Sequence, residues 1–400
     1  MLRTETPTHT PSQHSRALYF DADLQIIFGV TLIGVMGVTS IAPAFPRMVR
    51  ELGIPPGSVG LLISVFTLPG VILTPITGVL ADRYGRKRIL IPSLFLFGVT
   101  GTLCWFAHDF RHLLMLRLAQ GSCAASLGAL NTTLIGDIYA GRKRTAAMGY
   151  NASVLNIGTT SYPAIGGVLA VIGWNYPFLL SLLAIPVGLL VMTSLESPEP
   201  RSDQGLREYL LGVWWQVRKG RAVALLSISL LTFICLYGAY LTYFPLLVGT
   251  SFHASPLVIG TFMSLMSLTT ALTSSQIGRL TRHFSEEALL RAAYGLYGLG
   301  LLMIPFIHTL WLFAVPAVVF GIGHGINTPT ITTLLLEMAL VANRGAFMAA
   351  NGTVLRLGQT LGPLVMAATA AVWGIAATFF AGVGIALAML GIVVLMPDRS

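Results

Sequence analysis

The sequence predicts an all-α integral membrane protein in which twelve transmembrane helices form two pseudo-symmetric bundles of six. Three observations support this fold class: the composition, the number of apolar segments and an internal repeat. Of the 400 residues, 54% are hydrophobic and only 10% are charged, whereas a soluble domain carries about 25% charged residues. A chain with so few charges cannot cover a water-exposed surface, so we assign it to the membrane.

Apolar segments of roughly 20 residues, the length that crosses a hydrocarbon core of about 30 Å, recur along the whole chain. We predict spans near residues 24–46, 57–80, 89–108, 113–137, 146–171, 175–195, 222–248, 257–280, 287–307, 310–337, 346–371 and 375–396. The three cysteines, Cys104, Cys123 and Cys235, fall inside these segments without metal-ligand spacing. We therefore expect buried thiols, no metal site and no cofactor.

The longest polar stretch, residues 196–221, separates the sixth span from the seventh and contains four acids and five of the 24 Lys and Arg residues. It predicts a cytoplasmic linker between an N-terminal bundle at 23–195 and a C-terminal bundle at 222–400. Residues 1–22 are polar and lack the pattern of a signal peptide. We expect them to form a disordered cytoplasmic tail.

Basic residues are distributed unevenly among the loops. If the N-terminus is cytoplasmic, 19 of the 24 Lys and Arg residues lie in cytoplasmic segments, three lie outside and two lie within spans. The positive-inside rule then places both termini in the cytoplasm and the protein in the inner (plasma) membrane. Because topology accounts for the net charge of +9, we expect no nucleic-acid partner.

Short patterns recur at a constant offset of 200 residues, which is the mark of an internal repeat. The recurring pairs are Gly78/Gly278, Gly121/Gly321, residues 132–134/332–334, Asp137/Glu337, Arg144/Arg344, Asn151/Asn351, Gly158/Gly358 and Pro163/Pro363. The register holds without a gap from the second to the fifth helix of each half. Two parallel bundles related by pseudo-symmetry are therefore expected.

From Gly78 the chain reads G-V-L-A-D-R-Y-G-R-K-R, which includes Asp82, Arg83, Gly85 and Arg86. This motif lies between the second and third spans and resembles the G-x-L-A-D-R-x-G-R-K signature of the major facilitator superfamily. Together with the helix number, the charge bias and the repeat, the resemblance covers nearly the whole chain. It implies the major facilitator fold, the transport of a small molecule, and a substrate site near the midplane between the halves.

The resemblance also implies a latch at the cytoplasmic end of the interface. Gly78 is expected to allow close helix packing, and Asp82 is expected to face the positive N-terminus of the eleventh helix. The basic cluster is expected to pair with Asp137, and Arg144 belongs to the same group of gating residues. The alternative is that the basic residues only enforce topology.

The fourth span contains Arg117 and Gln120 in L-R-L-A-Q-G, which resembles a second signature of the family. The family assigns this position to coupling. Arg117 is expected about 6 Å deep in the span, where a buried guanidinium needs acceptors. It could instead extend to the outer surface.

The fifth span contains Gly158, Tyr162, Pro163, Gly166 and Gly167 in a pattern that resembles the G-x-x-x-G-P-x-x-G-G signature of the drug/proton antiporter branch. That branch is found among exporters. Here Tyr162 replaces the central glycine, which weakens the assignment. Small residues would let helices of the two halves approach closely, but ordinary helix packing explains them equally well. The repeat copy retains Gly358, Gly362 and Pro363.

Arg356 is predicted about 15 Å from the cytoplasmic face, near the midplane. A charge at that depth is a functional hypothesis by default, so we expect it to meet an anionic substrate group or a carbonyl freed by a proline. A structural role is the alternative. Further candidates for the substrate site are Asn131, Asn156, Tyr237, Tyr240, His324, Asn327 and Gln359. His324 is also a candidate proton carrier, with hydrogen-bonded packing as the alternative.

The leading hypothesis is a monomeric, proton-coupled exporter of small amphipathic compounds that works by rocker-switch alternating access in the lipid bilayer. The alternative is a proton-linked transporter of an organic anion or metabolite recognised by Arg356. The first span contains no acid, so proton coupling follows only from the resemblance. No G-x-S-x-G, H-E-x-x-H or P-loop pattern occurs, and we do not expect an enzyme.

Overall fold

The computed structural model describes residues 18–196, 220–338 and 344–396. Within these ranges the chain is helical and contains no strand, which confirms the all-α prediction. The long helices are α1 Ala22–Leu52, α2 Pro56–Tyr84, α3 Arg86–Trp105, α4 Phe110–Ile138, α5 Gly141–Ile172, α6 Tyr176–Ser194, α7 Gly220–Ser251, α8 Pro256–Ser275, α9 Glu286–Phe306, α10 Leu310–Met338, α11 Arg344–Trp373 and α12 Ile375–Leu395. We call α1–α6 the first half and α7–α12 the second half.

Eleven of these twelve helices in the described ranges are long and apolar enough to cross a membrane. The twelfth, α11, has 30 residues and is therefore about 45 Å long. Its lower hydropathy reflects polar residues such as Asn351, Arg356 and Gln359. Because α11 packs against α2, α7 and α12, these side chains lie among helices, and α11 completes the predicted set of twelve.

Two predicted segments fall largely outside the described residues. They are the cytoplasmic tail at 1–22, of which 1–17 are not described, and the linker at 196–221, of which 197–219 are not described. The boundaries of the two bundles at 23–195 and 222–400 therefore stay a prediction.

Helix α7 changes its winding at its centre. Residues Cys235–Tyr243 form a π-helix, and the hydroxyl of Thr242 donates to the carbonyl of Tyr237, five residues back, at 2.7 Å. A π segment is rare and frequently marks a functional region. This π segment packs closely on α11, because Gly238 faces the carbonyl oxygen of Gly362.

Two pairs of helices make most of the contacts between the halves: α2 packs against α11, and α5 packs against α8. We name the two ends of the molecule by their charge. The basic end contains the α2–α3 turn with Arg83 and Arg86, and the neutral end contains the α1–α2 and α7–α8 connections. The four interface helices run from one end to the other.

The halves are in contact at the neutral end, whereas three described glycines near the basic end face open space. A Cβ atom placed on Gly60 of α2 would lie 2.9 Å from Cβ of Pro363 in α11. Near the basic end, a Cβ atom on Gly78, Gly149 or Gly352 meets no atom within 4 Å. The close packing expected at Gly78 does not occur in this conformation, and its role in gating stays a prediction.

Candidate functional site

The contacts at the neutral end come in two copies. Pro363 of α11 packs on Gly60 of α2, and Pro163 of α5 packs on Gly260 of α8, where a Cβ atom would overlap the Pro163 carbonyl oxygen. Gly60 and Gly260 stand 200 positions apart, as do the two prolines. The repeat in the sequence thus becomes a twofold-related pair of glycine–proline contacts between the halves.

Hydrogen bonds reinforce both contacts. Ser64 of α2 donates to the carbonyl of Thr360 in α11 at 2.7 Å, and the hydroxyl oxygens of Thr67 and Thr360 lie 2.9 Å apart. In the other copy, Ser264 of α8 accepts a hydrogen bond from the backbone N–H of Ala164 at 3.0 Å. Sequence reasoning missed Ser64 and Ser264, although they share the offset of 200.

The small residues of the fifth-helix motif divide into two groups. A Cβ atom on Gly167 would lie 2.6 Å from the carbonyl oxygen of Pro256, so Gly167, with the two prolines, lies at a contact between the halves. The other motif glycines pack within one half. Gly158 and Gly166 face α1, whereas Gly358 and Gly362 face α7. These four residues fit each helix against its own bundle, which agrees with the alternative of ordinary helix packing.

Arg356 extends from α11 to the first half. Two glycines of the first half lie next to its side chain. A Cβ atom on Gly70 of α2 would be 3.1 Å from Cδ of Arg356, and a Cβ atom on Gly128 of α4 would be 3.0 Å from Nη2. The absence of side chains at these two glycines leaves the room that the guanidinium occupies. The polar partner is Gln359, whose Oε1 accepts from Nη1 at 3.3 Å.

No carboxylate in the described ranges lies within 4.0 Å of Arg356. Tyr237 of α7 is near enough to interact with it electrostatically, and Tyr237 stacks on Phe233 with ring centroids 5.8 Å apart. The half-buried Arg356, Tyr237 and Phe233 therefore combine a cation with aromatic surface at the centre of the interface. Such a site suits an amphipathic molecule that carries a negative group.

Arg117 is fully buried in the first half, which excludes extension to the surface. Its guanidinium donates to the carbonyl of Gly37 at 2.8 Å, to the carbonyl of Leu62 at 3.3 Å and to Oε1 of Gln120 at 2.8 Å. It also lies 4.0 Å from the ring centroid of Phe66. Neutral acceptors from three helices thus hold this charge in place of a carboxylate.

At the basic end, Arg86 joins two acidic side chains. Its Nε lies 2.5 Å from Oδ2 of Asp137, and its Nη2 lies 3.2 Å from Oδ1 of Asp82. The structure thus contains the expected ion pair between the basic cluster and Asp137. Asp82 binds Arg86 here. Residues 339–343, which precede the N-terminus of α11, lie outside the described ranges.

The remaining motif residues of this end have different surroundings. Gly85 has a φ of 99°, a conformation that favours glycine, and it forms the turn between α2 and α3. Arg83 is exposed beside the ring of Tyr84. Arg144 is exposed and near enough to Asp137 to interact electrostatically. Lys87 donates to the carbonyl of Leu195 at 2.8 Å and thereby caps α6.

A polar network lies inside the second half. Tyr294 of α9 donates to Oδ1 of Asn327 at 2.8 Å, and Nδ2 of Asn327 donates to Thr232 of α7 at 3.1 Å and to Tyr297 at 3.5 Å. The hydroxyl of Tyr297 lies 2.5 Å from Nδ1 of His324. Asn327 thus makes three hydrogen bonds within its own half, and its role in substrate binding stays a prediction.

Three other predicted binding residues have distinct positions. Asn131 is buried and donates to Thr31 within the first half. Tyr240 is buried between the rings of Phe244 and Phe320, each with its centroid 4.9 Å away. Its contact with substrate stays a prediction. Asn156 of α5 is half-buried.

The described ranges contain no group of three or more His, Cys, Asp or Glu residues that could hold a metal ion. Their acidic residues lie in connections or in the first or last turn of a helix. The centre of the interface thus carries positive and neutral polar groups only. A two-halved helical membrane protein with such a centre, closed at one end, has the architecture of a transporter.

Comparisons with known proteins give the family. A family model described as the Major Facilitator Superfamily matches residues 27–251 and 240–400. The chain is 25% identical over 384 residues to the Quinolone resistance protein NorA of Staphylococcus aureus (strain COL), with 94% of this chain and 96% of that protein covered. It is 24% identical over 347 residues to Multidrug resistance protein 1 of Bacillus subtilis (strain 168), with 86% and 88% covered.

Among solved structures, a bacterial homologue of the human lysosomal transporter Spinster, in an inward-facing and occupied conformation, has a TM-score of 0.78 at 15% identity. The match covers 97% of each chain. The protein is a multi-pass membrane transporter of small molecules. It belongs to the Major Facilitator Superfamily, which confirms the predicted fold and the prediction that it is not an enzyme.

Proposed function

We propose that this protein is a secondary active transporter that exports small amphipathic compounds in exchange for protons. The observation that carries the proposal is the asymmetry of the interface. Twin glycine–proline contacts close the neutral end, whereas glycines of the same helices face open space at the basic end. Alternation between this state and its converse would expose a central site to each side in turn.

The direction of export rests on topology and on relatives. The basic clusters lie at the open end, and the positive-inside rule assigns that end to the cytoplasm. Both termini are then cytoplasmic, and the site is open to the compartment from which an exporter loads. The relatives that cover most of the chain are named for resistance to quinolones or to multiple drugs, which favours a drug-like substrate.

A test uses inverted membrane vesicles energised with a proton gradient, with a fluorescent quinolone as the probe. An exporter should accumulate the quinolone inside such vesicles, and collapse of the gradient should release it. Vesicles from cells without the protein are the control. Accumulation only in right-side-out vesicles would reverse the direction, and equal uptake with and without the protein would contradict quinolone transport.

Arg356 favours a second candidate, a proton-linked transporter of organic anions. Its guanidinium is permanently charged, is half-buried at the interface and is paired with no carboxylate of the described ranges. A charge at this depth needs compensation, which an anionic group of the substrate could provide. The two candidates share one site, and an exporter of carboxylate-bearing amphipathic compounds would satisfy both.

The variant Arg356→Gln tests the role of the charge, with Arg291→Gln as the control because Arg291 is exposed on α9. The probes are a quinolone, which carries a carboxylate, and a permanently cationic dye. We expect Arg356→Gln to weaken quinolone transport at least tenfold, about 1.4 kcal/mol, and to spare the dye. Equal loss for both probes would indicate that Arg356 supports the structure and does not recognise anions.

A further inference from the structure

A transporter driven by protons needs a group in its interior that gains and loses a proton. Carboxylates serve this purpose in many transporters, but the described acidic residues of this chain lie at helix ends or in connections. His324 is the one histidine in the described ranges that lies well inside a helix. The other described histidines are in connections or in a first turn, namely His108, His112, His253, His283 and His308.

His324 lies on the inner face of α10. It follows Phe320 by four positions and precedes Asn327 by three, so the three side chains share one side of the helix, and both neighbours are buried. His324 itself is half-buried, and Thr328, one turn nearer the basic end, is exposed. The exposed Leu312 and Val315 lie on the opposite, outer face. Water that enters from the open basic end can therefore approach the imidazole.

The hydrogen bonds around His324 have a definite direction. Nδ2 of Asn327 can only donate, so the oxygen of Tyr297 accepts from it, and the Tyr297 O–H is left to donate to Nδ1 of His324. This arrangement fits a neutral imidazole with its hydrogen on Nε2. If a proton adds to Nδ1, both partners carry a hydrogen in the same contact, and the Tyr297 hydroxyl must turn away.

We propose that His324 is the proton-binding site of the transporter and that Tyr297, Asn327 and Thr232 transmit its protonation to α7. A proton from water in the interface adds to Nδ1 while Nε2 keeps its hydrogen, and no covalent bond other than the new N–H changes. Thr232 accepts from Asn327 at 3.1 Å and lies three residues before the π segment Cys235–Tyr243. Phe233 and Tyr237, next to Arg356, follow directly on that helix.

The charges around His324 determine how substrate and proton affect one another. On the helices that pack against α10, the titratable groups away from the helix ends are Tyr294, Tyr297, Cys235, Tyr237, Tyr240, Tyr243 and Arg356, and the described part of α8 contributes none. Arg356 is the one permanent charge of this set. A cationic group of the substrate would compete with the imidazolium, and such competition is what exchange for protons requires.

The first test measures the protonation of His324 and does not depend on transport. The proposal as a whole rests on the proposed function. The purified full-length protein, labelled with nitrogen-15 in its eight histidines, is titrated by nuclear magnetic resonance. His324→Asn assigns the signal, because the Asn oxygen can still accept from Tyr297 but cannot be protonated. We expect the His324 signal to change from the neutral to the protonated imidazole as the pH is lowered, and this change to be absent from His324→Asn. A signal that stays neutral at every pH at which the protein remains folded would overturn the proposal.

The second test separates coupling from translocation in proteoliposomes, with a quinolone as the probe. We expect His324→Asn to lose at least ninety per cent (about 1.4 kcal/mol) of accumulation driven by a proton gradient but to retain exchange of quinolone across the membrane. The exposed His308→Asn is the control. Wild-type accumulation in His324→Asn would overturn the assignment. If the wild type neither accumulates nor exchanges quinolone, the proposed function fails for this substrate, and the titration still decides the proton site.

Tyr297→Phe provides a further check if His324→Asn does not fold. Removal of the hydroxyl releases Nδ1 from a donor, so protonation should become easier and the His324 titration should move to higher pH. The other histidine signals should not change. An unchanged His324 titration in Tyr297→Phe would contradict the proposed link between the two residues.

Discussion

The glycine–proline contacts predict that one added methyl group shifts the transporter between its conformations. Gly260 lies against the backbone of Pro163 and Ala164, and a Cβ atom there overlaps the Pro163 carbonyl oxygen. Because the obstacle is backbone, rotation of a side chain cannot relieve the overlap. Gly260→Ala should therefore destabilise the state in which the neutral end is closed.

The size of the effect follows from the cost of overpacking. Inserting a methyl group into a well-packed contact costs about 1–3 kcal/mol, and here the cost falls on one state only. The ratio of the two conformations should change by about 5- to 150-fold. Alanine also favours a helix over glycine by about 0.5–1 kcal/mol, but that gain applies equally to both states.

The assay measures distances between spin labels in the purified protein after its three native cysteines have been replaced. One pair, at the exposed His108 and Thr309, spans the neutral end; a second pair, at the exposed Lys143 and His283, spans the basic end. Gly260→Ala should lengthen the first distance and shorten the second.

The control is Gly295→Ala in α9, where a Cβ atom meets nothing within 4 Å; both distances should stay at their wild-type values. Unchanged distances in folded Gly260→Ala would show that this contact does not set the balance between the two conformations. If that variant does not fold, Gly167→Ala tests the same contact, since its Cβ would lie 2.6 Å from the carbonyl oxygen of Pro256.

Three further predictions concern the stability of the purified protein, measured by thermal unfolding. Asp137→Asn should lower the unfolding temperature more than Asp82→Asn, because Asp137 binds the buried guanidinium of Arg86 at 2.5 Å. The side chain of Asp82 is 45% exposed, and an exposed ion pair contributes only about 0–1 kcal/mol. Equal shifts in the two variants would contradict this order. Lys87→Met removes the side-chain donor and should cost about 1 kcal/mol through the lost cap of α6, while Arg88→Met at an exposed position should cost nothing measurable. Equal unfolding temperatures of the two variants would show that the cap has no effect. Arg117→Lys keeps the charge but cannot reproduce the three hydrogen bonds. Loss of one or more of these bonds should lower the free energy of unfolding by at least about 1.5 kcal/mol. Wild-type stability in this variant would show that the charge alone suffices.

The sequence was sufficient for the fold because its signals are long and repeated. Twelve apolar segments, the charge bias and the offset of 200 each involve many residues, so the loss of any one would not change the prediction. The motif from Gly78 to Arg86 pointed to the family, and the ion pair of Asp137 with Arg86 formed where the motif placed it.

The site was less predictable because it depends on which way single side chains point. Tyr237 and Tyr240 are three positions apart on α7, yet one lies beside Arg356 and the other is buried between two phenylalanine rings. The π-helical winding of this segment cannot be read from the sequence, and it changes the faces on which these residues lie. The partner of His324, Tyr297, comes from another helix and carries no local signal.

Alternating access requires the neutral end to open and close again in each transport cycle, and a covalent cross-link across that end would prevent this movement. Thr67 and Thr360 lie on opposite halves with hydroxyl oxygens 2.9 Å apart. With the native cysteines replaced, Thr67→Cys/Thr360→Cys is oxidised in inverted vesicles, and Thr67→Cys alone is the control. We expect quinolone flux to cease when the cross-link forms and to return on reduction; undiminished flux through the fully cross-linked protein would contradict alternating access.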